Sequence, residues 1–138
     1  MDLERFTAEH KIWYDYALGE VRAGKKYSHW MWFIFPQIKG LGRSDTAQYF
    51  AIQSREEAQA YLAHPVLNAH LREITQAMLN LKNTHPAVVL GDTDSMKLRS
   101  CMTLFHAVSG DPLYQEVLNR YYQGKPDEMT LAILNSIT

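Results

Sequence analysis

The chain has 138 residues, 46% hydrophobic and 21% charged, and its 14 basic and 15 acidic side chains leave a net charge of −1. Those totals fit one soluble domain, and they supply no global field to draw in nucleic acid or an anionic membrane. Cys101 is the only cysteine, which excludes an internal disulfide and a cysteine-based zinc site.

The opening Met1-Asp2-Leu3-Glu4-Arg5 has no apolar run behind a basic one, so the expected compartment is the cytoplasm. No run of alternating β-branched residues lies between turn signals. The five prolines and seven glycines fall mostly where helices should start or stop. The expected fold is therefore all-α: a compact single domain over 1–138, with six or seven helices and short connections.

Asp2 can cap a first turn, and a helix is expected over about 7–21 with Trp13, Tyr16, Ala17 and Val21 on one stripe. Gly24 stops it, and Lys25 and Lys26 follow at the negative end of its dipole. Next comes Ser28-His29-Trp30-Met31-Trp32-Phe33-Ile34-Phe35-Pro36, too short to cross a membrane, which takes about 20 apolar residues. It reads as a short helix over about 29–35, capped by Ser28 and ended by Pro36. A helix apolar all round is a buried helix, so the rest of the chain should pack around it.

Gly40-Leu41-Gly42-Arg43-Ser44 forms a glycine-rich basic loop, after which Ser44 or Asp45 can cap a turn carrying Tyr49, Phe50 and Ile52. Ser54 and Glu57 have capping-box spacing for a helix to about Ala63. Pro65 suits the first position of a helix with a stripe of Val66, Ala69, His70, Ile74, Ala77, Met78 and Leu81. A break at 83–86 leads to a short turn closed by Gly91. Asp94 is the expected cap of a helix over 95–108, whose apolar arc holds Leu98, Cys101, Met102, Phe105 and Val108. Asp111-Pro112 opens a helix with Leu113, Val117, Leu118 and Tyr121 inward. A last helix over about 127–137 should turn Met129, Ile133 and Leu134 to the core.

The string from Ser28 to Gln37, the loop from Gly40 to Ser44, the segment Ala60-Tyr61-Leu62-Ala63-His64-Pro65-Val66-Leu67 and Lys97-Leu98-Arg99-Ser100 together resemble an uncharacterised bacterial family. Its members are labelled as a domain of unknown function and sometimes calpastatin. Calpastatin is a long disordered inhibitor, which this apolar, helix-punctuated chain does not match. The resemblance covers nearly the whole chain and implies a compact, mostly helical single domain. It implies no reaction and carries over no catalytic residue.

The residues themselves outline one candidate pocket. Gly40 and Gly42 let backbone amides turn inward, Arg43 offers a fork of donors suited to phosphate or carboxylate, and a helix opening at Ser44 would add its positive end. Lys97 and Arg99 sit near a helix N-terminus, where cations are disfavoured, so an acidic partner such as Asp92 or Asp94, or a bound anion, should lie close. Trp30 or Trp32 could stack on a flat ligand, and His29 is a weak candidate for an acid or base. The plainer alternative puts His29 and both indoles in the core, and aromatic burial favours it. The six histidines show no metal-ligand spacing, with His64 and His70 on different faces of any helix, so no metal is expected.

Three functions fit. The foremost is a pocket for a phosphate-bearing or other anionic small molecule between the aromatic helix, the glycine loop and the start of the 95–108 helix. The others are a protein-interaction domain and an enzyme acting on a nucleotide or ADP-ribose-like group. Nucleic acid and membrane are not expected partners, and the expected state is a monomer or small homo-oligomer. The cofactor is unassigned.

Overall fold

Helix caps set the architecture of the computed structural model, which describes residues 1–137. Its helices are α1 (Glu4–Ala23), α2 (Met31–Ile34), α3 (Asp45–Phe50), α4 (Arg55–Ala63), α5 (Pro65–Asn80), α6 (Pro86–Leu90), α7 (Asp92–Ser109), α8 (Pro112–Tyr121) and α9 (Glu128–Ser136). The described residues thus form nine helices rather than six or seven, because the short α2, α3 and α6 each close as true turns. The fold is all-α, with a single isolated bridge, Ile38 to Ile52, among those residues.

Side-chain oxygens start four of these helices as the spacing predicts. Ser44, Ser54, Asp111 and Asp127 accept amides of Ala47, Glu57, Leu113 and Thr130. Gly24 and Gly110, with φ of 80° and 70°, stop α1 and α7 in the left-handed conformation. Helix α7 has no side-chain cap, and it begins at Asp92 and not at Ser95. Gly91 ends α6 and directly precedes α7, so Asp94 lies in the first turn instead of capping it.

Around α7 pack α4, α6, α8 and α9, while α1 lies against α5 and α2. Leu98, Cys101, Met102, Leu104 and Phe105 of α7 are fully buried. The aromatic run is also central: Trp30, Met31, Phe33, Ile34, Phe35 and Ile38 all belong to the same core cluster. Its helix is shorter than 29–35, however, and His29 lies outside it, exposed. The cause is Glu20. Its carboxylate accepts the backbone N–H of Tyr27 and Ser28, the Ser28 hydroxyl and the Trp30 indole N–H, so Ser28 donates to Glu20 instead of capping a helix. Burial alone would raise the Glu20 pKa; these hydrogen bonds overcome it and hold the carboxyl below its usual range.

Three faces differ from the periodic reading. On α1 the buried stripe is Phe6, His10, Tyr14, Ala17, Leu18 and Val21, while Tyr16 is exposed and Trp13 only half-buried. On α5, Leu67 and Leu71 point inward and Val66 and Ala69 outward. On α9, Leu134 is buried and Met129 is 61% exposed. The buried face of α1 is thus turned towards His10, a polar residue outside the expected stripe.

Candidate functional site

The glycine loop is pinned where it leaves the aromatic run. Ile52 donates its amide to the Gln37 carbonyl at 2.8 Å, and the Lys39 amide donates to the Ile52 carbonyl at 2.9 Å. Beyond this bridge the loop must turn tightly. Gly42 is required by space: a Cβ there would lie 2.4 Å from the Ala47 Cβ. Gly40 is required by conformation, at φ 98°. The loop then caps α3, the Ser44 hydroxyl oxygen accepting the Ala47 amide at 3.1 Å.

Two adjoining recesses result. The larger is an open groove of about 620 Å³, lined by Lys39, Gly40, Gly42, Gln48, Ala51, Gln53, Met129 and Ile133. The smaller, about 10 Å³, shares Gly42 and Ala51 with it and adds Trp32 and Lys97. The Lys97 ammonium is 5.4 Å from the centre of the Trp32 ring, a cation–π arrangement. It is also 3.4 Å from an Asp94 oxygen, and the other oxygen of that carboxylate pairs with Lys26 at 3.1 Å. Two ammonium groups thus share the Asp94 carboxylate.

The candidate residues fall into three groups. Trp32, Gly40, Gly42 and Lys97 line the two recesses. Arg43 and Ser44 follow Gly42 at the surface; the Ser44 oxygen is engaged by α3, and the exposed Arg43 guanidinium has no ion-pair partner among the described residues. The third group lies elsewhere. Trp30 is fully buried, its indole N–H donating to Glu20 at 3.0 Å. Arg99 donates to the carbonyls of Lys125 and Pro126 at 3.0 and 3.1 Å, on the turn before α9. Exposed His29 has its ring 6.5 Å from that of Trp32. Among the described residues no cluster of His, Cys, Asp or Glu is arranged to hold a metal ion, and no helix is long and apolar enough to cross a membrane.

Sequence reasoning missed Lys39, Gln48, Gln53, Met129 and Ile133 as groove residues. Met129 and Ile133 are four apart on α9, the spacing of one helix face, but nothing local shows that this face meets a loop ninety residues earlier.

The family model described as Protein of unknown function (DUF1810) matches residues 1–134. The crystal structure of a conserved hypothetical protein from Mycobacterium tuberculosis superposes with a TM-score of 0.95 at 40% sequence identity, over 97% of this chain and 96% of that one. No curated protein matches the chain.

Proposed function

We propose a function for this chain, which belongs to the family described as Protein of unknown function (DUF1810): it binds a small organic anion in the groove beneath the glycine loop. The observation that carries this reading is the composition of the groove. Met129, Ile133 and Ala51 offer an apolar bed, and Lys39 lines it with no ion-pair partner among the described residues. Arg43, next in the chain after Gly42, is exposed and likewise unpaired. An apolar bed with cationic donors suits a ligand with a hydrophobic or flat body and a phosphate or carboxylate at one end. The volume is that of an ordinary small-molecule site.

Lys97 stands behind this groove as a contributor of field, since Asp94 already holds its charge. Of the two indoles of the aromatic run, Trp32 lines the smaller recess beside the groove, while Trp30 is enclosed.

A thermal-shift screen tests the reading. The panel holds nucleotides, ADP-ribose, sugar phosphates and carboxylates, applied to wild type, Lys39→Ala and Arg43→Ala. A ligand at about 100 times its Kd should stabilise by roughly 2.7 kcal/mol, a rise of several degrees in Tm. The expected result is a hit whose shift shrinks in both variants. A panel without any shift would sink the anion reading and turn attention to protein partners, for which Ile12 and Tyr16, 60% and 64% exposed on α1, are the place to look.

A further inference from the structure

Away from the glycine loop, α1 and the start of α5 enclose a second recess of about 310 Å³, lined by Thr7, His10, Lys11, His64, Val66 and His70. It shares no residue with the groove. Three of its six lining residues are histidines, and the hydrogen bonds fix the proton on each.

His10 is buried, with Nε2 2.8 Å from the Phe33 carbonyl oxygen and Nδ1 2.9 Å from Nδ1 of His70. A carbonyl oxygen only accepts, so His10 carries its proton on Nε2. Burial, opposed by the Phe33 hydrogen bond and aided by His70 and His64, brings the His10 pKa down to about 4, so the ring is neutral at neutral pH. Its Nδ1 is therefore a bare lone pair. The proton between the two Nδ1 atoms must belong to His70. That makes His70 the Nδ1–H tautomer and leaves its Nε2 as an unprotonated nitrogen without a partner among the described residues.

His64 is fixed in the opposite sense. Its Nδ1 accepts the amides of Val66 and Leu67 at 3.2 and 3.3 Å, so its proton lies on Nε2. The recess thus holds one imidazole presenting a lone pair and one presenting an N–H. The exposed Lys11 ammonium, with no ion pair among the described residues, lies at the same recess.

The rest of the surroundings keep His70 in place. The Tyr14 ring stacks on it at 3.6 Å between centres and 4° between planes. The Tyr14 hydroxyl donates to Glu73 at 2.6 Å, and Glu73 approaches Arg22 at 4.0 Å. Burial lowers the His70 pKa, against the opposing pull of Glu73 and Asp15, which keeps the free base at neutral pH. The groups facing His70 are therefore His10, Tyr14 and Asp15 from α1, Glu73 from its own helix, and His64 and Lys11 across the recess.

We propose that this recess binds a small hydroxy acid, with His70 Nε2 as the hydrogen-bond acceptor, His64 Nε2–H as the donor and Lys11 as the carboxylate partner. The ligand hydroxyl donates its hydrogen bond to His70 Nε2, and the same oxygen accepts the His64 N–H. His70 meanwhile keeps its Nδ1–H on His10, whose own Nε2–H is held by the Phe33 carbonyl. His10 is a positioning residue: it acts by choosing the tautomer of His70.

Long-range proton–nitrogen NMR of the ¹⁵N-labelled full chain at neutral pH reads each tautomer directly. The expected result is Nδ1–H for His70 and Nε2–H for His10 and His64; an Nε2–H tautomer at His70 would overturn the proposal. His10→Gln can accept from His70 and donate to Phe33 at once, so it should preserve the His70 tautomer, whereas His10→Leu should release it. Equal behaviour of folded Gln and Leu variants counts against the positioning role of His10, and the wild-type spectrum decides if Leu does not fold. Lactate and propionate are the ligand probes. Lactate should move the His70 Nε2 resonance and propionate, which lacks the hydroxyl, should not. An unmoved resonance with lactate, or equal shifts with both, would overturn the hydroxy-acid assignment.

Discussion

His10 shows how one buried side chain makes stability depend on pH. Its folded-state pKa, about 4, lies below the ordinary histidine value of 6.5. The unfolded chain therefore takes up a proton that the folded chain refuses, and stability falls as pH drops from about 6.5 towards 4. The shift corresponds to about 3 kcal/mol, fully present above pH 6.5. Urea titrations across this range should show the wild-type midpoint falling more steeply than that of His10→Gln. Parallel curves would mean that His10 protonates as easily in the fold as in the unfolded chain. The stripe expected on this helix, Trp13, Tyr16, Ala17 and Val21, does not include His10. Its burial follows from two acceptors and donors, the Phe33 carbonyl and His70, that are 23 and 60 residues away. No local pattern carries that information.

At the scale of elements, starts and stops were legible and facings were less so. Ser54, Pro65, Asp111-Pro112, Asp127 and the glycines at 24 and 110 act within four residues of themselves, so their roles can be read locally. Facing depends on what the helix meets. Val66 and Leu67 are equally apolar, yet only Leu67 reaches the core. Long-range polar ties were invisible for the same reason. Arg5 of α1 forks onto the buried Glu57 carboxylate of α4 and also donates to the Ala51 carbonyl at 3.0 Å. Glu57 accepts the Gln53 amide too, so the pair fastens two helices and the chain between α3 and α4. Arg5→Ala would leave that carboxylate enclosed and unpaired and should cost about 3 kcal/mol in urea unfolding. The double variant Arg5→Ala/Glu57→Gln should lose less than the sum of its parts; strict additivity would show the two side chains to be uncoupled.

For the whole molecule, composition and the aromatic run were enough to place the centre. The run from Trp30 to Phe35 and the inner arc of α7 belong to one cluster, because a stretch with so little polar surface has nowhere else to go. Cys101 reports on that centre. It is fully buried in α7, and burial pushes its thiol pKa well above the ordinary range. A disulfide reagent such as Ellman's should leave the folded protein untouched and titrate one thiol in urea, with the labelling rate tracking global unfolding. Fast labelling under native conditions would reveal a local opening of α7. The candidate site was half legible: the loop composition pointed to Gly40 and Gly42, while the opposite wall came from α9, whose approach only the folded chain reveals.

His64-Pro65 and His85-Pro86 repeat one device: an imidazole Nδ1 accepts the first amides of α5 and of α6, ahead of a proline that needs no acceptor. A serine or aspartate cap ends at the oxygen that makes the bond, but an imidazole carries a second nitrogen on its far side. His85 uses it to reach the Tyr121 carbonyl at 3.2 Å, and the His64 ring borders the histidine recess. Each of these two helix starts is thus also a tie to something beyond its own helix. Hydrogen–deuterium exchange at neutral pH should show the Leu67 amide losing protection in His64→Ala and the Ala87 amide in His85→Ala, with Glu57 and Thr130, held by Ser54 and Asp127, unchanged. Unaltered protection at Leu67 and Ala87 would mean that the ring nitrogens do not hold these helix starts.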